Sequence, residues 1–197
     1  DGGSEYIMIK TSESQYLKGG SAIATSGSSL LLSSSKYLNH SRLRDVLAQE
    51  CLRRSGREFP LAYLVPDAMQ AFEELKDYPR IFELLAAERV RRPELAEWLD
   101  ARYVSRFSAA STQGFAPGTL GATFHDFIVR TGYQVDFLFT DAPRNDYEYM
   151  MKRLAQNHDV EHLVTGLYPD PCGENALMTC NNTTWLRYFD TELAGEM

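Results

Sequence analysis

The sequence predicts an all-α fold, with a single helical domain over residues 41–197 and an extended arm, rich in serine and glycine, over residues 1–40. Two observations support this prediction. From Ser41 onward, apolar residues recur at intervals of three and four, which places them on one face of a helix. In addition, four prolines stand where a first helical turn tolerates them, so they punctuate helices without breaking them.

The arm differs in composition from the rest of the chain. Residues 1–40 contain no arginine and show no helical period, and residues 19–35 have the serine- and glycine-rich composition that is typical of loops. Residues 6–9 fit a short strand. We therefore expect a flexible arm with little regular structure.

The first four helices follow in order. Ser41 is the expected N-cap of a helix that continues to Gly56. Three more helices are predicted to open at Pro66, Pro79 and Pro93, each followed by apolar residues at helical spacing. The short turns between them are typical of stacked helices.

Two longer helices come next. One is predicted from about Pro117 to Gly132, and the other from near Asp146 to about Thr165, with Gly166 as its C-terminal stop. Between them, residues 135–139 fit a short strand without strand partners. The stretch 174–189 is expected to be helical at first, with the polar run at 181–184 weakening its middle.

Composition excludes several classes of protein. The 197 residues carry a net charge of −7, which argues against nucleic acid as a partner because phosphate binding needs concentrated basic residues. No apolar run reaches the roughly 20 residues that span a bilayer. The three cysteines (Cys51, Cys172 and Cys180) form no disulfide framework, so a reducing compartment is expected.

One motif carries metal chemistry. His158 and His162 are one helical turn apart, about 40° from each other around the helix, and Asp159 lies about 100° from the first and 60° from the second. All three can therefore point at one site. The loop that follows contains two prolines and two glycines, and it can bring Glu174 back at the start of the next helix.

This set of side chains suits a divalent metal ion. Two imidazoles with one or two carboxylates favour zinc, while iron, manganese and cobalt also fit. Cys172 is a weaker candidate ligand. If only protein groups bind the ion, coordination positions stay open for water or substrate, as a catalytic metal requires.

The motif H-D-x-x-H-x(11)-E, from His158 to Glu174, resembles the signature of the coenzyme Q (ubiquinone) biosynthesis family known as Coq-four. The segment 116–121, Ala-Pro-Gly-Thr-Leu-Gly, followed by Phe127, is similar to that family's P-G-T/S-L-G block. Residues 93–102 and the Thr165-Gly166 pair also resemble family positions. The resemblance covers roughly residues 80–180.

The resemblance implies a ubiquinone-biosynthesis-type metal-binding domain over residues 41–197. Its metal ligands would be His158, Asp159, His162 and Glu174. It also implies peripheral association with a membrane, because the family's substrates carry polyprenyl tails. The expected location is the inner face of the bacterial membrane, or the matrix side of the mitochondrial inner membrane. A homodimer is compatible with the sequence.

The reaction that the resemblance implies is removal of the C1 carboxyl group from a prenylated aromatic precursor and its replacement by hydroxyl. We expect a metal-dependent oxidative decarboxylase, with Glu161 as a proton shuttle. The family is also linked to organising other ubiquinone enzymes. The main alternative is therefore a scaffold that binds a prenyl lipid or another isoprenoid and contains a structural metal.

Two further alternatives stay open. His125 and Asp126 form a second His-Asp pair, so a metal phosphohydrolase of the His-Asp type would use His125, the 158–159 pair and a later residue such as Asp170. A zinc peptidase would place Asp159 where the general base normally stands. The small domain leaves little room for a peptide cleft, which disfavours the peptidase.

Overall fold

The computed structural model describes residues 35–52, 64–105, 107–132 and 138–197, with the backbone alone at positions 50 and 171. Within these ranges the chain forms helices and no strand, which confirms the predicted all-α fold. No helix in this part of the chain combines the length and the apolar character that crossing a bilayer requires. The helices are α1 (Lys36–Asn39), α2 (Ser41–Leu52), α3 (Val65–Glu73), α4 (Tyr78–Arg91), α5 (Pro93–Ala101), α6 (Leu120–Thr131), α7 (Asp146–Thr165), α8 (Pro171–Tyr188) and α9 (Thr191–Glu196).

The chain divides into two compact units, with the boundary between Lys76 and Asp77. Helices α1, α2 and α3 lie in the first unit, where α2 packs against both of the others. Buried apolar side chains in this unit come from α2, from α3 and from Leu64 directly before α3, and an edge-to-face ring pair joins α1 to α3. All of the predicted metal ligands lie in the second unit.

The predicted boundary between an arm (1–40) and a helical domain (41–197) stays a prediction, because residues 1–34 lie outside the described ranges. The last residues of the predicted arm contain α1, a single turn that is too short to show a hydrophobic period. The Ser35 hydroxyl caps it by accepting from the Leu38 amide at 3.4 Å. The proposed strand at 6–9 and most of that at 135–139 also fall outside the described residues.

Helix α7 is central in the second unit, where it packs against α4, α5, α6 and α8. Its first turn buries Tyr147 and Tyr149 completely. The Tyr147 ring lies 5.6 Å from that of Tyr78 on α4, and the Tyr149 ring lies 4.7 Å from that of Trp98 on α5. Because large buried rings dominate core energetics, this end of α7 is firmly anchored.

The prolines open α3, α4 and α5 as predicted. Helix α6 instead starts at Leu120, three residues after Pro117. The Thr119 hydroxyl accepts from the Ala122 amide at 3.3 Å, and Gly118 adopts a left-handed conformation with φ +81°. The threonine cap therefore sets the start of this helix, and the segment that resembles the family's P-G-T/S-L-G block forms its turn and cap.

The prediction that α8 weakens at residues 181–184 is wrong, since the helix is continuous from Pro171 to Tyr188. The Thr179, Thr183 and Thr184 hydroxyls donate to the carbonyls four residues earlier, at 2.8 to 2.9 Å. The side-chain amide of Asn181 donates to the Glu161 carboxylate of α7 at 3.1 Å. These polar groups therefore find partners that are compatible with a helix, although their average propensity for it is low.

The C-terminal half of α7 packs against α6. Phe124 and Ile128 of α6 are buried, and Val160 and Leu163 of α7 pack against them. The Phe107 ring meets Phe124 edge-on, with centroids 5.2 Å apart. The three-residue spacing of Val160 and Leu163 places both on the α6 side of the helix.

The middle of α7 anchors the chain segment that precedes it. Lys152 is buried, and its ammonium donates to three successive carbonyls, those of Phe139, Thr140 and Asp141, at 2.7, 3.2 and 3.1 Å. An ammonium has three N–H donors, so each one has a partner. Phe139 adopts a left-handed conformation, with φ +51°.

Candidate metal centre

The local sequence brings three of the predicted ligands together across a tight loop. His158 and His162 lie on the last two turns of α7, and Glu174 lies in the first turn of α8. Gly166 ends α7 in a left-handed conformation, as predicted. The Asp170 carboxylate starts α8 by accepting from two backbone amides, those of residues 172 and 173, at 3.0 and 2.9 Å.

The three side chains converge on one point. The Nε2 atom of His158 lies 2.9 Å from Oε2 of Glu174, and Nε2 of His162 lies 3.2 Å from Oε1 of the same carboxylate. The two Nε2 atoms are 3.2 Å apart. Atoms about 2.1 Å from one ion are about 3.0 Å apart at octahedral angles and about 3.4 Å apart at tetrahedral angles. The observed separations of 2.9 and 3.2 Å are close to or within this range, so His158, His162 and Glu174 can hold a divalent ion.

A contact with the backbone determines which nitrogen of His162 carries the proton when the ring is neutral. Its Nδ1 atom lies 2.9 Å from the Leu167 carbonyl oxygen, and a carbonyl can only accept a hydrogen bond. Nδ1 therefore carries a proton, so that in the neutral form of the ring Nε2 is the nitrogen that presents a lone pair to Glu174 and His158. A hydrogen bond of this kind on the outer nitrogen is the usual support of a metal-binding histidine. The His162 side chain is almost wholly buried, which keeps the ring in this orientation.

Without a metal, His158 and Glu174 stabilise each other's charged forms. Burial disfavours the charged imidazole, but the hydrogen bond and the negative charge of Glu174 outweigh burial and raise the pKa of His158. Burial likewise disfavours the carboxylate, but the bond to His158 and the charges of both rings lower the pKa of Glu174. The pair therefore favours a proton on His158 and a bare carboxylate on Glu174.

While His162 is neutral, the proton on His158 cannot satisfy both contacts to Glu174. If Nε2 of His158 donates to Glu174, then Nε2 of neutral His162 and Oε1 of Glu174 are two acceptors only 3.2 Å apart. No hydrogen lies between them to offset their repulsion. A cation at the centre of the triangle would be attracted by all of the donor atoms at once, which makes metal binding the chemistry that the geometry favours.

Asp159 is not one of the three converging side chains. It lies on the neighbouring arc of α7, about 100° from His158. It is close enough for the charges of both rings and of Glu174 to act on it, and burial raises the pKa of its carboxyl group. Its predicted role as a metal ligand stays a prediction, and the geometry places it as a neighbour of the three-residue group.

The structure also locates the other candidate residues. The Glu161 carboxylate accepts from Asn181 of α8. His125 lies 3.0 Å from the Thr112 hydroxyl, and neither His125 nor Asp170 belongs to the converging group, so the His-Asp phosphohydrolase set is not assembled around it. Cys172 is exposed and is not part of the group.

Sequence reasoning missed two contributors, the Leu167 carbonyl and the absence of a side chain at Gly173. A backbone carbonyl has no sequence signal. Gly173 does have one, because a glycine directly before Glu174 in a helical first turn is an unfavourable choice that needs a reason. That reason is a close backbone approach: a Cβ atom on Gly173 would lie 1.8 Å from the Tyr168 carbonyl oxygen.

Comparisons with known proteins give no relative. No protein family model, no curated protein and no solved structure matches the chain. The resemblance of the segment from His158 to Glu174 to the Coq-four signature therefore rests on the residues alone. The described part of the chain is all-α, and its His158, His162 and Glu174 group could hold a metal ion.

Proposed function

We propose that this chain binds one divalent metal ion through His158, His162 and Glu174, and that it acts in ubiquinone biosynthesis as an oxidative decarboxylase of a prenylated head-group precursor. One observation carries the metal-binding part: two imidazole nitrogens lie 3.2 Å apart and each lies within 3.2 Å of an oxygen of the same carboxylate. The reaction rests on the resemblance of the motif and of the segment 116–121 to the Coq-four family.

The proposed reaction replaces a ring carboxyl by hydroxyl. The aromatic acid, dioxygen, two electrons and two protons give a phenol, carbon dioxide and water, so dioxygen as oxidant and a two-electron reductant must both take part. A bound divalent ion supplies Lewis acidity, and a redox-active one also supplies the electron transfer that an oxidation requires. The ion could be zinc, iron, manganese or cobalt, because the donor set accommodates each of them.

The protein's own groups hold and move protons around this centre. The Leu167 carbonyl keeps His162 in the form that presents Nε2. Asp159 is half-buried beside the rings, and burial raises the pKa of its carboxyl group. Glu161 is partly exposed and held by Asn181, which suits the proton shuttle that we assign to it.

The metal site is tested by titrating the purified chain with Zn²⁺ and Co²⁺, after elemental analysis of the protein as isolated. The wild-type chain is expected to bind one ion, while Glu174→Gln, which keeps the size of the side chain but removes its charge and one acceptor oxygen, is expected to lose binding. His125→Gln is the matched control, since its ring contacts Thr112 and lies outside the group. Equal binding by wild type and Glu174→Gln would contradict the site. Loss of binding in His125→Gln would favour the phosphohydrolase arrangement.

The reaction is tested with the metal-loaded chain, an aromatic acid that carries a prenyl chain, dioxygen and a two-electron reductant. Carbon dioxide release together with phenol formation is the expected result, and both should disappear in His162→Ala. Turnover that survives loss of the metal would exclude a catalytic metal. Mass spectrometry of lipids that co-purify with the chain tests the substrate class independently.

A second candidate function has its own support. Both histidines belong to α7 and the carboxylate belongs to α8, so an ion would tie two helices together, as a structural metal does. In that case the chain is a prenyl-lipid scaffold for other ubiquinone enzymes. Chelation that unfolds the chain, with no turnover before chelation, would favour the scaffold over the enzyme.

A further inference from the structure

Gly173, in the first turn of α8, lies very close to the backbone of the loop between α7 and α8. A Cβ atom on Gly173 would lie 1.8 Å from the Tyr168 carbonyl oxygen and 2.9 Å from its carbon. Both atoms belong to the backbone, so no side-chain rotation can relieve the overlap. By contrast, a Cβ atom on Gly195, in α9, would meet nothing within 4 Å.

The loop that Gly173 touches also supports both sides of the candidate metal centre. One residue before Tyr168, the Leu167 carbonyl binds Nδ1 of His162 at 2.9 Å. Two residues after it, Asp170 donates its backbone amide to the Tyr168 carbonyl at 2.8 Å and caps α8 with its carboxylate. Helix α8 carries Glu174, and the backbone amide of Glu174 donates to the Asp170 carbonyl at 2.9 Å.

We propose that Gly173 is a positioning residue for the metal centre: its missing side chain lets the Tyr168 carbonyl lie against α8, and this contact sets His162 and Glu174 relative to each other. The inference rests on the proposed function, because it assumes that these side chains bind a metal. Gly173 contributes no ligand atom. Its effect on the metal is transmitted through the backbone of residues 167–170.

Helix propensity alone predicts the opposite effect of a substitution. Glycine in a helix costs roughly 0.5–1 kcal/mol relative to alanine, so Gly→Ala in an uncrowded helical position is stabilising. Gly195→Ala should behave in this way. Gly173→Ala must instead push the Tyr168 carbonyl away, and the loop moves with it. The two variants share the same chemical change and differ only in what the new methyl group meets.

The experiment measures metal affinity and coordination in wild type, Gly173→Ala and Gly195→Ala. Zn²⁺ affinity is obtained by competition with a chromogenic chelator, and the d–d absorption spectrum of bound Co²⁺ reports the ligand geometry. Gly173→Ala is expected to bind Zn²⁺ about 10- to 100-fold more weakly, the range found when outer support of a metal ligand is lost, with an altered Co²⁺ spectrum. Gly195→Ala should match the wild type in both measurements.

A second pair of variants covers the case in which Gly173→Ala does not fold. Asp170→Ala removes the cap of α8, whereas Asp170→Asn retains it because an asparagine oxygen accepts the same amide bonds. Weakened Zn²⁺ binding in Asp170→Ala with recovery in Asp170→Asn would support positioning by the loop. Wild-type affinity in both Asp170 variants would overturn it.

Failure of this inference is distinguishable from failure of the metal site. If wild type binds Zn²⁺ and Gly173→Ala binds it with the same affinity and the same Co²⁺ spectrum, the positioning role is wrong and the metal site stands. If wild type binds neither Zn²⁺ nor Co²⁺, then the proposed metal site and the positioning role are both wrong. Weakened binding with an altered spectrum in Gly173→Ala alone supports the inference.

Discussion

The last turns of α7 have two unlike faces. On one face, Val160 and Leu163 pack against Phe124 and Ile128 of α6. On the other, His158 and His162 meet Glu174 of α8 through polar atoms about 3 Å apart. The apolar contact is non-directional and depends mainly on the area removed from water. The polar contact depends on the position of each donor atom.

The two faces of α7 therefore affect different properties. The face toward α6 contributes to stability, and the face toward α8 positions the candidate metal ligands. Side chains on the α6 side can change shape at a moderate cost, because apolar cores tolerate substitutions that conserve volume. The α8 side cannot relax in the same way, since its ring orientation depends on the Leu167 carbonyl and its carboxylate on the Asp170 cap. Variants on the two faces should therefore affect different measurements.

The largest expected effect is on the apolar face. Phe124→Ala removes a buried ring and should lower the free energy of unfolding by about 3–5 kcal/mol in urea titrations. The Zn²⁺ affinity of the protein that remains folded should change by less than about twofold. Val129→Ala, on the same helix but 59% exposed, is the control and should change stability by no more than about 0.5 kcal/mol. Loss of metal binding together with stability in Phe124→Ala would show that the two faces are coupled.

The converse test is on the polar face. His162→Ala removes one donor atom and should weaken Zn²⁺ binding more than about 100-fold, beyond the range caused by loss of outer support alone. The neighbouring variant Leu163→Ala, on the α6 side, should retain wild-type affinity while it lowers the unfolding free energy. Equal losses of Zn²⁺ affinity in the two variants, measured by chelator competition, would remove the distinction between the faces.

Metal addition should stabilise the wild-type chain. With free Zn²⁺ at about 100 times its dissociation constant, the unfolding free energy should rise by about 2.7 kcal/mol, because the folded state alone holds the complete site. Thermal unfolding with and without Zn²⁺ measures this change. His162→Ala should show no such rise at the same concentration, and a rise of equal size in that variant would place the bound ion elsewhere.

The smallest expected effect concerns the hydrogen bond between Asn181 of α8 and Glu161 of α7. Asn181→Ala removes its hydrogen bond to Glu161 and should cost about 1 kcal/mol of stability. Zn²⁺ affinity should fall by only a few fold, because no donor atom is lost. Asn182→Ala, at an exposed position on the same helix, serves as the control in urea titrations. A loss of affinity in Asn181→Ala as large as that in His162→Ala would show that this bond, too, positions the ligands.

Much of the fold follows from local signals in the sequence. The predicted bounds of α7, from near Asp146 to about Thr165 with Gly166 as its stop, agree with the structure because periodicity, capping and a terminal glycine coincide there. Helix α2 shows a small discrepancy, since Ser41 is its first residue and His40 accepts from the Leu43 amide at 3.4 Å. A histidine cap is uncommon, so sequence rules favoured the serine.

The candidate site was predictable only in part. Helical spacing was enough to pair His158 with His162, and a loop that reverses the chain was enough to place Glu174 near them. The helical positions alone did not exclude Asp159 from this group. It lies about 100° from His158 and about 60° from His162 around the helix, and side chains at such angles can still converge. The contacts of the Leu167 and Tyr168 carbonyls depend on how the loop folds in three dimensions, which sequence spacing does not specify.

Lys152 has a consequence for chemical footprinting. It is the only lysine between Asp77 and Met197, so amine-directed acylation has one lysine target in the second unit. In the folded chain that amine donates hydrogen bonds to the carbonyls of residues 139–141 and is nearly inaccessible to solvent. Its labelling rate, measured by peptide mass spectrometry, should therefore rise when residues 139–141 are released from α7.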